Sequence, residues 1–424
     1  MRIRRRAAGV VAALSAGVLA LAACSGSSSD GGGGSEPSGG PAVEEVVIGA
    51  PLPLSGPGAG FGTPYLTALQ LTVDAINEAG GIESLGGAKL RLDAVDDASD
   101  ATRDAQLLQQ MAAQGVSVFA GPLLSATVIN SVPIITRAEI PFVGPSLDSA
   151  VTDPESPWMF RVVNRADAWG DQAFEWIDAT LKEQGVTIEK IGVVGINVPP
   201  GTSTTERMIA GAEAAGWEAV NISYDQKTTT DFAPIVAQLA QADVDLVTGY
   251  QNPNDAVLFA QAVAAQDWRP EQGFVWIAGG QYLSSFGEAT GASTNHWVDL
   301  SYAADLSASP VPELEAIAAA FQEETGQPMV GLAASAPAII TVIAAAIEKA
   351  ASPDPAKIAD ALRSLEFSSP DSAPFPYYSM RGGLSFNEKN GDNLKWEGTM
   401  IQWQDGVQVD VSDPSSDELI WPAR

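Results

Sequence analysis

Residues 116–128 read VSVFAGPLLSATV. A short run rich in β-branched residues gives way to Gly121 and Pro122, then to Ser125 and Thr127, and then to a helical pattern. The order is strand, tight turn, helix N-terminus. Hydroxyls and free backbone N–H groups at such a turn are donors suited to a carboxylate or carbonyl oxygen. The competing reading makes Ser125 a plain helix N-cap with no ligand in view. The other chemistry-bearing residues do not combine into a reactive set. His296 is the single histidine, so a Ser/His/Asp or Cys/His arrangement would have to be built around it, and no serine sits in an elbow motif. It reads as a surface or strand-end residue. A zinc site would need ligands that the sequence lacks. Gly56-Pro57-Gly58-Ala59-Gly60-Phe61 puts phenylalanine where the last glycine of G-x-G-x-x-G belongs, and no Lys-Ser or Lys-Thr follows. Asp93, Asp96, Asp97 and Asp100 fit no EF-hand spacing; strand-end and helix N-cap roles for Asp97 and Asp100 are the simpler reading. The sequence therefore implies no cofactor and no metal, and offers no recognisable pairing of nucleophile and base.

The elements that must position the 116–128 turn follow from periodicity. Strands are expected at residues 46–54, 89–97, 116–120 and 141–146, alternating with helices at 65–79, 100–114 and 125–138. Asp153, Pro154, Pro157, Trp158 and Phe160 interrupt this alternation, which then resumes. Helices are expected at 168–184, 204–215, 231–242 and 256–265, and strands at 190–197, 220–224, 244–250 and 274–278. Each set reads as βαβ units and a parallel sheet with helices on both faces. In such sheets ligands lie outside the carboxyl ends of the strands, where this turn sits. After residues 297–303 come helical patterns at 312–325, 332–351 and 355–365, then strands at 384–386 and 400–411 with Asp405-Gly406 as a two-residue hairpin signal. These late elements have no partners of their own, so the chain must cross between lobes more than once. The fold class is α/β, with two doubly wound parallel-sheet lobes.

The chain has 424 residues and a formal net charge of -30. That acidity argues against nucleic acid and against electrostatic adhesion to anionic lipid. Its first residues do not belong to the folded body. Arg2, Arg4, Arg5 and Arg6 form a positive region, and residues 7–23 are uncharged and largely apolar, ending in Leu21-Ala22-Ala23-Cys24, the pattern of a signal peptide. No second apolar stretch reads as long and charge-free enough for a membrane span. Small residues before a cysteine resemble the lipobox of bacterial lipoproteins, so Cys24 is the expected lipidation site, with a retained membrane helix as the alternative. A Gly/Ser tract at residues 24–43 reads as a flexible tether. Cys24 is also the single cysteine, so the body beyond it holds no disulfide.

Several stretches match a known family in order and spacing. They are IGAPLPLSGPGAGFG at 48–62, DAINEAGGI at 74–82, VDDASD at 95–100, FAGPLLSATV at 119–128, IPFVGPS at 140–146, the pair Phe160-Arg161, and GGLSFNEKNGD at 382–392. Together they resemble the leucine/isoleucine/valine-binding protein family, solute-binding components of ABC importers with the type I periplasmic-binding-protein fold. The resemblance implies two lobes joined by three crossovers, near Val162, near Leu300 and in residues 395–398, that close on a ligand like a trap. Lobe 1 would comprise residues 44–162 and 300–396, and lobe 2 residues 163–299 and 397–424. It implies a monomer that captures a small solute, docks on the permease subunits of an importer, touches the membrane only through its lipid, and works outside the cytoplasm. It carries ligand contacts onto Ser125, Ala126 and Thr127, onto Ser146, Leu147 and Asp148, and onto Phe61 as an aromatic cover. In lobe 2 the match loosens. A tyrosine of the amino-acid binders is replaced near Pro200, Gly201 and Thr202; another falls near Gln251 or Asn252, with Tyr250 adjacent. The acidic partner of an ammonium group should lie near residues 279–281, yet Gln281 and then Tyr282 stand there and no carboxylate does. Either Asp148 supplies the charge or the ligand has no α-amino group. Branched-chain amino acids are the family default; an amide, a urea-like compound or an organic acid fits the departures as well. A sensor of the same fold feeding a signalling system is the alternative to transport.

Overall fold

The computed structural model describes residues 43–424. The signal peptide, Cys24 and nearly all of the tether lie outside the described residues. The first sheet is wholly parallel, in the order β2-β1-β3-β4-β5, from β1 (Glu45–Leu52), β2 (Lys89–Asp96), β3 (Val118–Phe119), β4 (Phe142–Gly144) and β5 (Met159–Arg161). Helix α1 (Ala59–Glu78) covers one face, and α2 (Ala101–Gln114) and α3 (Ser125–Ala138) the other. Side-chain alternation explains the two faces: Val118, Val143 and Phe160 join the core under α1, while Phe119, Phe142 and Met159 join the core under α2 and α3.

The chain then builds the second sheet with α4 (Ala166–Glu183), β6 (Lys190–Ile196), α5 (Pro199–Ala215), β7 (Glu218–Tyr224), α6 (Ala233–Ala242), β8 (Leu246–Tyr250), α7 (Pro253–Gln266), β9 (Gly273–Ile277), α8 (Ser284–Thr290) and β10 (Val298–Ser301). It returns to the first sheet through α9 (Pro312–Thr325), α10 (Gly331–Ala350) and α11 (Pro355–Arg363). Two short antiparallel ladders follow, β11 (Glu366–Phe367) with β13 (Leu384–Ser385), and β12 (Arg381–Gly382) with β14 (Trp396–Glu397). The chain ends on the second sheet with β15 (Thr399–Gln404) and β16 (Val407–Asp410), giving the order β16-β15-β10-β9-β8-β6-β7.

The second sheet is thus not wholly parallel, because β15 runs antiparallel to both β10 and β16. The Asp405-Gly406 turn, whose φ values of 51° and 83° are those a two-residue type I′ hairpin requires, reverses the chain between β15 and β16, and the hairpin docks antiparallel on the β10 edge. Other boundaries moved as well. Helix α1 starts at Ala59, inside the glycine-rich segment, and α5 starts at Pro199, since a proline in the first turn loses no intrahelical hydrogen bond. β5 and α8 form where no regular element was expected. Helix α10 is long and apolar enough to cross a bilayer, contrary to the reading that no second stretch is; 94% of its apolar window is buried in lobe 1, as a core helix.

Three passages connect the sheets, after β5, after β10 and between β14 and β15. The first and third are laced together. Arg161 N–H donates to the Gly391 carbonyl at 2.9 Å, Asn393 N–H to the Arg161 carbonyl at 3.1 Å, and the Asn393 side-chain amide to the Val162 carbonyl at 2.8 Å. The fully buried Arg161 guanidinium pairs with Asp392 at 3.0 Å. Trp169 stacks on Trp396 with ring centroids 4.5 Å apart and lies 4.8 Å from Tyr302, so one aromatic cluster touches all three passages.

Candidate functional site

The carboxyl ends of both sheets face a cleft of about 680 Å³, its open mouth included. From lobe 1, the Asp96 carboxylate fastens the turn after β1 by accepting from Leu54 N–H at 3.0 Å, Ser55 N–H at 3.1 Å and the Ser55 hydroxyl at 2.7 Å. This seats α1, whose Phe61 lines the cleft. Gly62 packs so closely that a Cβ there would lie 2.2 Å from the Pro53 carbonyl oxygen. Asp97 and Asp100 hold local turns, Asp97 accepting from Ser99 N–H and Asp100 capping α2.

At the 116–128 turn the helix N-cap is Leu124, which offers no side-chain cap, so Ser125 is not a plain N-cap but the first helical residue. The N–H groups of Ser125 and Ala126 therefore have no intrahelical partner, while those of Thr127 and Val128 bond the Leu124 carbonyl at 2.9 and 3.0 Å. The Ser125 hydroxyl oxygen accepts from Asp148 N–H at 3.2 Å, which leaves its own proton to donate. Ser146 donates to the Leu123 carbonyl at 3.1 Å. Arg161 and Ala166 N–H both donate to the Leu147 carbonyl, so the buried guanidinium holds this wall of the cleft in place.

Lobe 2 contributes Val198, Pro199 and Pro200 at the start of α5, Tyr250 and Asn252 after β8, and Tyr282 after β9. Tyr302 enters from the second passage and Leu332 from the start of α10. The rings of Phe61 and Tyr282 lie 6.5 Å apart across the lobes, and Tyr282 meets Tyr302 edge-on at 5.7 Å. Burial pushes the phenol pKa values of Tyr250, Tyr282 and Tyr302 up, so all three are neutral.

Of the residues expected to touch a ligand, the structure gathers Phe61, Ser125, Ala126, Ser146, Leu147, Tyr250, Asn252 and Tyr282 around one space. Thr127, Asp148, Gly201, Thr202, Gln251 and Gln281 stand behind or beside it. Thr127 turns its hydroxyl to the Leu124 carbonyl at 2.8 Å. The Asp148 carboxylate caps a single 3₁₀ turn by accepting from Ala150 N–H at 2.9 Å. Gly201 and Thr202 lie in the first turn of α5, Gly201 against the Ile196 carbonyl and Thr202 exposed. Gln251 and Gln281 are fully buried and bonded to each other at 2.8 Å, bracing the two loops that carry the tyrosines. Pro200, which begins the expected Pro200-Gly201-Thr202 loop, does line the cleft; Tyr302 and Leu332 were not expected, nor were Leu123, Leu124, Pro145, Val198 and Pro199. The rule that ligands meet strand carboxyl ends and helix N-termini applies to Tyr302 and Leu332 as well, and was the available signal.

No charged side chain lines the cleft among the described residues. Asp299 is a fully buried acid behind the tyrosines. One of its oxygens accepts from Ala278 N–H at 3.0 Å, the other has no partner, and burial pushes its carboxyl well above the ordinary range. The lobes meet over the cleft. Gly331, at φ +56°, packs under the Tyr282 ring so tightly that a Cβ would fall 2.0 Å from Cδ2.

Two sheets of this order, crossed three times and enclosing a cleft at their facing edges, define a type I periplasmic-binding fold. The fold is shared with a leucine-binding protein from Thermotoga maritima (TM-score 0.70, 19% identity, covering 86% of this chain and 97% of that one). It is shared too with an ABC-transporter solute-binding protein from Rhodopseudomonas palustris solved with 3,4-dihydroxybenzoic acid (TM-score 0.71, 18% identity, covering 87% and 97%). In sequence the chain is 28% identical to a Leu/Ile/Val-binding protein homologue of Brucella abortus over 386 residues, 87% of this chain and 91% of the relative. Residues 45–392 match the periplasmic binding protein family, and the chain belongs to it. The resemblance seen in the sequence is thereby established, as is the extracytoplasmic, solute-binding class of the protein.

Proposed function

We propose that this chain is the solute-binding component of an ABC importer, anchored by lipid at Cys24 to the outer face of the cell membrane and capturing one small solute between its lobes as a monomer. Lobe 1 in this reading comprises residues 44–162 and 300–396, and lobe 2 residues 163–299 and 397–424. The observation that carries it is the cleft itself: lined by residues from both lobes, with unpaired donors at the start of α3 on one side and three neutral phenols on the other. The names of the relatives agree: one is a leucine-binding protein, one a Leu/Ile/Val-binding protein homologue, and one an ABC-transporter solute-binding protein solved with 3,4-dihydroxybenzoic acid. The candidate solutes are branched-chain amino acids, amides or urea-like compounds, and organic acids. No chemistry is performed on them; the closed lobes present a surface to the permease subunits. A thermal-shift screen against a library of amino acids, amides and organic acids is the test. A ligand that raises Tm and returns unchanged from the complex supports the reading, whereas no stabilisation by any of them, or turnover of one, would sink it.

A further inference from the structure

A zwitterionic amino acid presents two charges, and the cleft is built for one of them. The donor side is well supplied. Ser125 and Ala126 offer backbone N–H groups at the positive end of a 14-residue helix, and the Ser125 hydroxyl has a proton free because its oxygen already accepts from Asp148 N–H. A carboxylate placed there receives up to three hydrogen bonds. The acceptor side for an ammonium group is missing. None of the neighbouring acids lines the cleft: one Asp148 oxygen caps its own turn, Asp255 accepts from the Tyr224 hydroxyl at 3.1 Å, and Asp299 is fully buried behind the tyrosines. An ammonium group enclosed without an ionised partner costs several kcal/mol, more than its carboxylate neighbour recovers.

A second observation points to the rest of the ligand. Tyr250, Tyr282 and Tyr302 are at least nine-tenths buried, line the cleft, and use their hydroxyls in no hydrogen bond to a described residue. Unpartnered neutral phenols can donate to or accept from polar atoms of a ligand, and they carry no charge to balance an ammonium group. Leu123, Leu124, Leu332 and Pro199 supply the apolar wall. The rings do not form a cage for a quaternary ammonium, because Tyr282 packs against both Phe61 and Tyr302 and leaves no box of facing rings.

Resting on the solute-binding reading above, we propose that the cleft takes a carboxylic acid with an apolar or aromatic body and no amino group, its carboxylate seated on Ser125 and Ala126 and its far end against the three tyrosine hydroxyls.

The experiment is calorimetric titration of the full chain with matched pairs: 4-methylpentanoate against leucine, 3-phenylpropanoate against phenylalanine, 4-hydroxybenzoate against its amide, and glycine betaine. The acid of the preferred pair is expected to bind about 100-fold more tightly than its partner, the cost of an unpaired buried ammonium or a lost anion contact. Leucine, phenylalanine or betaine binding as tightly as any acid would overturn the inference and leave the solute-binding reading standing. Amides binding as tightly as acids would do the same. Binding of nothing would remove both. Asn252→Asp places a carboxylate on the cleft wall and is expected to weaken the acid and narrow the acid-to-amino-acid ratio about tenfold. An unchanged ratio would count against the placement.

Discussion

Ser125 is one residue further into its helix than a cap would be, so its hydroxyl caps no N–H of its own helix; its oxygen accepts from Asp148 N–H at the wall of the cleft and its proton is left to donate. Ser125→Ala should therefore weaken solute binding by about 1–3 kcal/mol, the worth of a hydrogen bond to a charged acceptor, and should also lower Tm without ligand by a few degrees, because Asp148 N–H loses its acceptor. Titration calorimetry and melting read the two quantities separately. A fall in Tm with unchanged affinity would return Ser125 to a structural role. The serine was legible because strand, turn and helix follow each other in thirteen residues of sequence. Tyr302 and Leu332 were missed because they reach the same space from the second passage and from α10; their places after a strand and at a helix start were the one signal, and their residue types are those of ordinary core residues. Asp148 was misplaced for a related reason. Its neighbours Ser146 and Leu147 do line the cleft, but the chain turns at Asp148 into a 3₁₀ helix that takes the carboxylate as its cap.

Between α2 and α3 lies an acid that periodicity placed and only packing could tune. Asp104 is fully buried and accepts from the Ser131 hydroxyl, and burial pushes its carboxyl up to about 7. The unfolded chain releases this proton near pH 4, so between there and pH 7 the native state binds more protons than the unfolded state, and stability falls as pH rises. Asp104→Asn keeps a polar partner for Ser131 and removes the titration. The variant should match the parent below about pH 4 and exceed it by on the order of 3 kcal/mol above pH 8, by urea denaturation across that range. Parallel profiles would show that the carboxyl titrates normally. At the passages, the other buried charge answers to geometry. Arg161 binds Asp392, Thr152 and the Leu147 carbonyl at once. Arg161→Met should cost about 3–5 kcal/mol because it strands Asp392 in the interior, and adding Asp392→Asn should recover part of the loss. Equal destabilisation by the single and double variants would rule out the ion pair as the cause. The Phe-Arg pair stood out in the sequence, but its partner 231 residues away could not be inferred from it.

At the scale of the molecule, the alternation of strands and helices made two parallel-sheet lobes legible, and the Asp405-Gly406 turn announced the terminal hairpin. What the sequence did not display was the antiparallel docking of that hairpin on β10, because sheet order depends on which edge is left open after the lobes form. Nor did it display how the lobes meet. Here they touch at the rim of the cleft: Phe61 faces Tyr282, and a Cβ on Gly60 of α1 would lie 3.7 Å from the Pro253 Cβ at the start of α7. That separation falls within the Cβ–Cβ range of a disulfide, about 3.5–4.5 Å. Gly60→Cys with Pro253→Cys, in a Cys24→Ser background so that no other thiol competes, should therefore form a cross-lobe bridge on oxidation. Both positions tolerate the change, since a glycine gains only a side chain and a first-turn proline gains an N–H that needs no helical partner. If solute enters and leaves only through lobe opening, oxidation before adding ligand should abolish binding, and oxidation after loading should trap the ligand so that dialysis no longer removes it. Reduction should restore exchange in both cases. Stopped-flow release rates measured on the oxidised and reduced forms decide the matter. Equal rates in a fully bridged sample would mean that the cleft exchanges its solute without parting the lobes, and that the three passages are struts rather than a hinge.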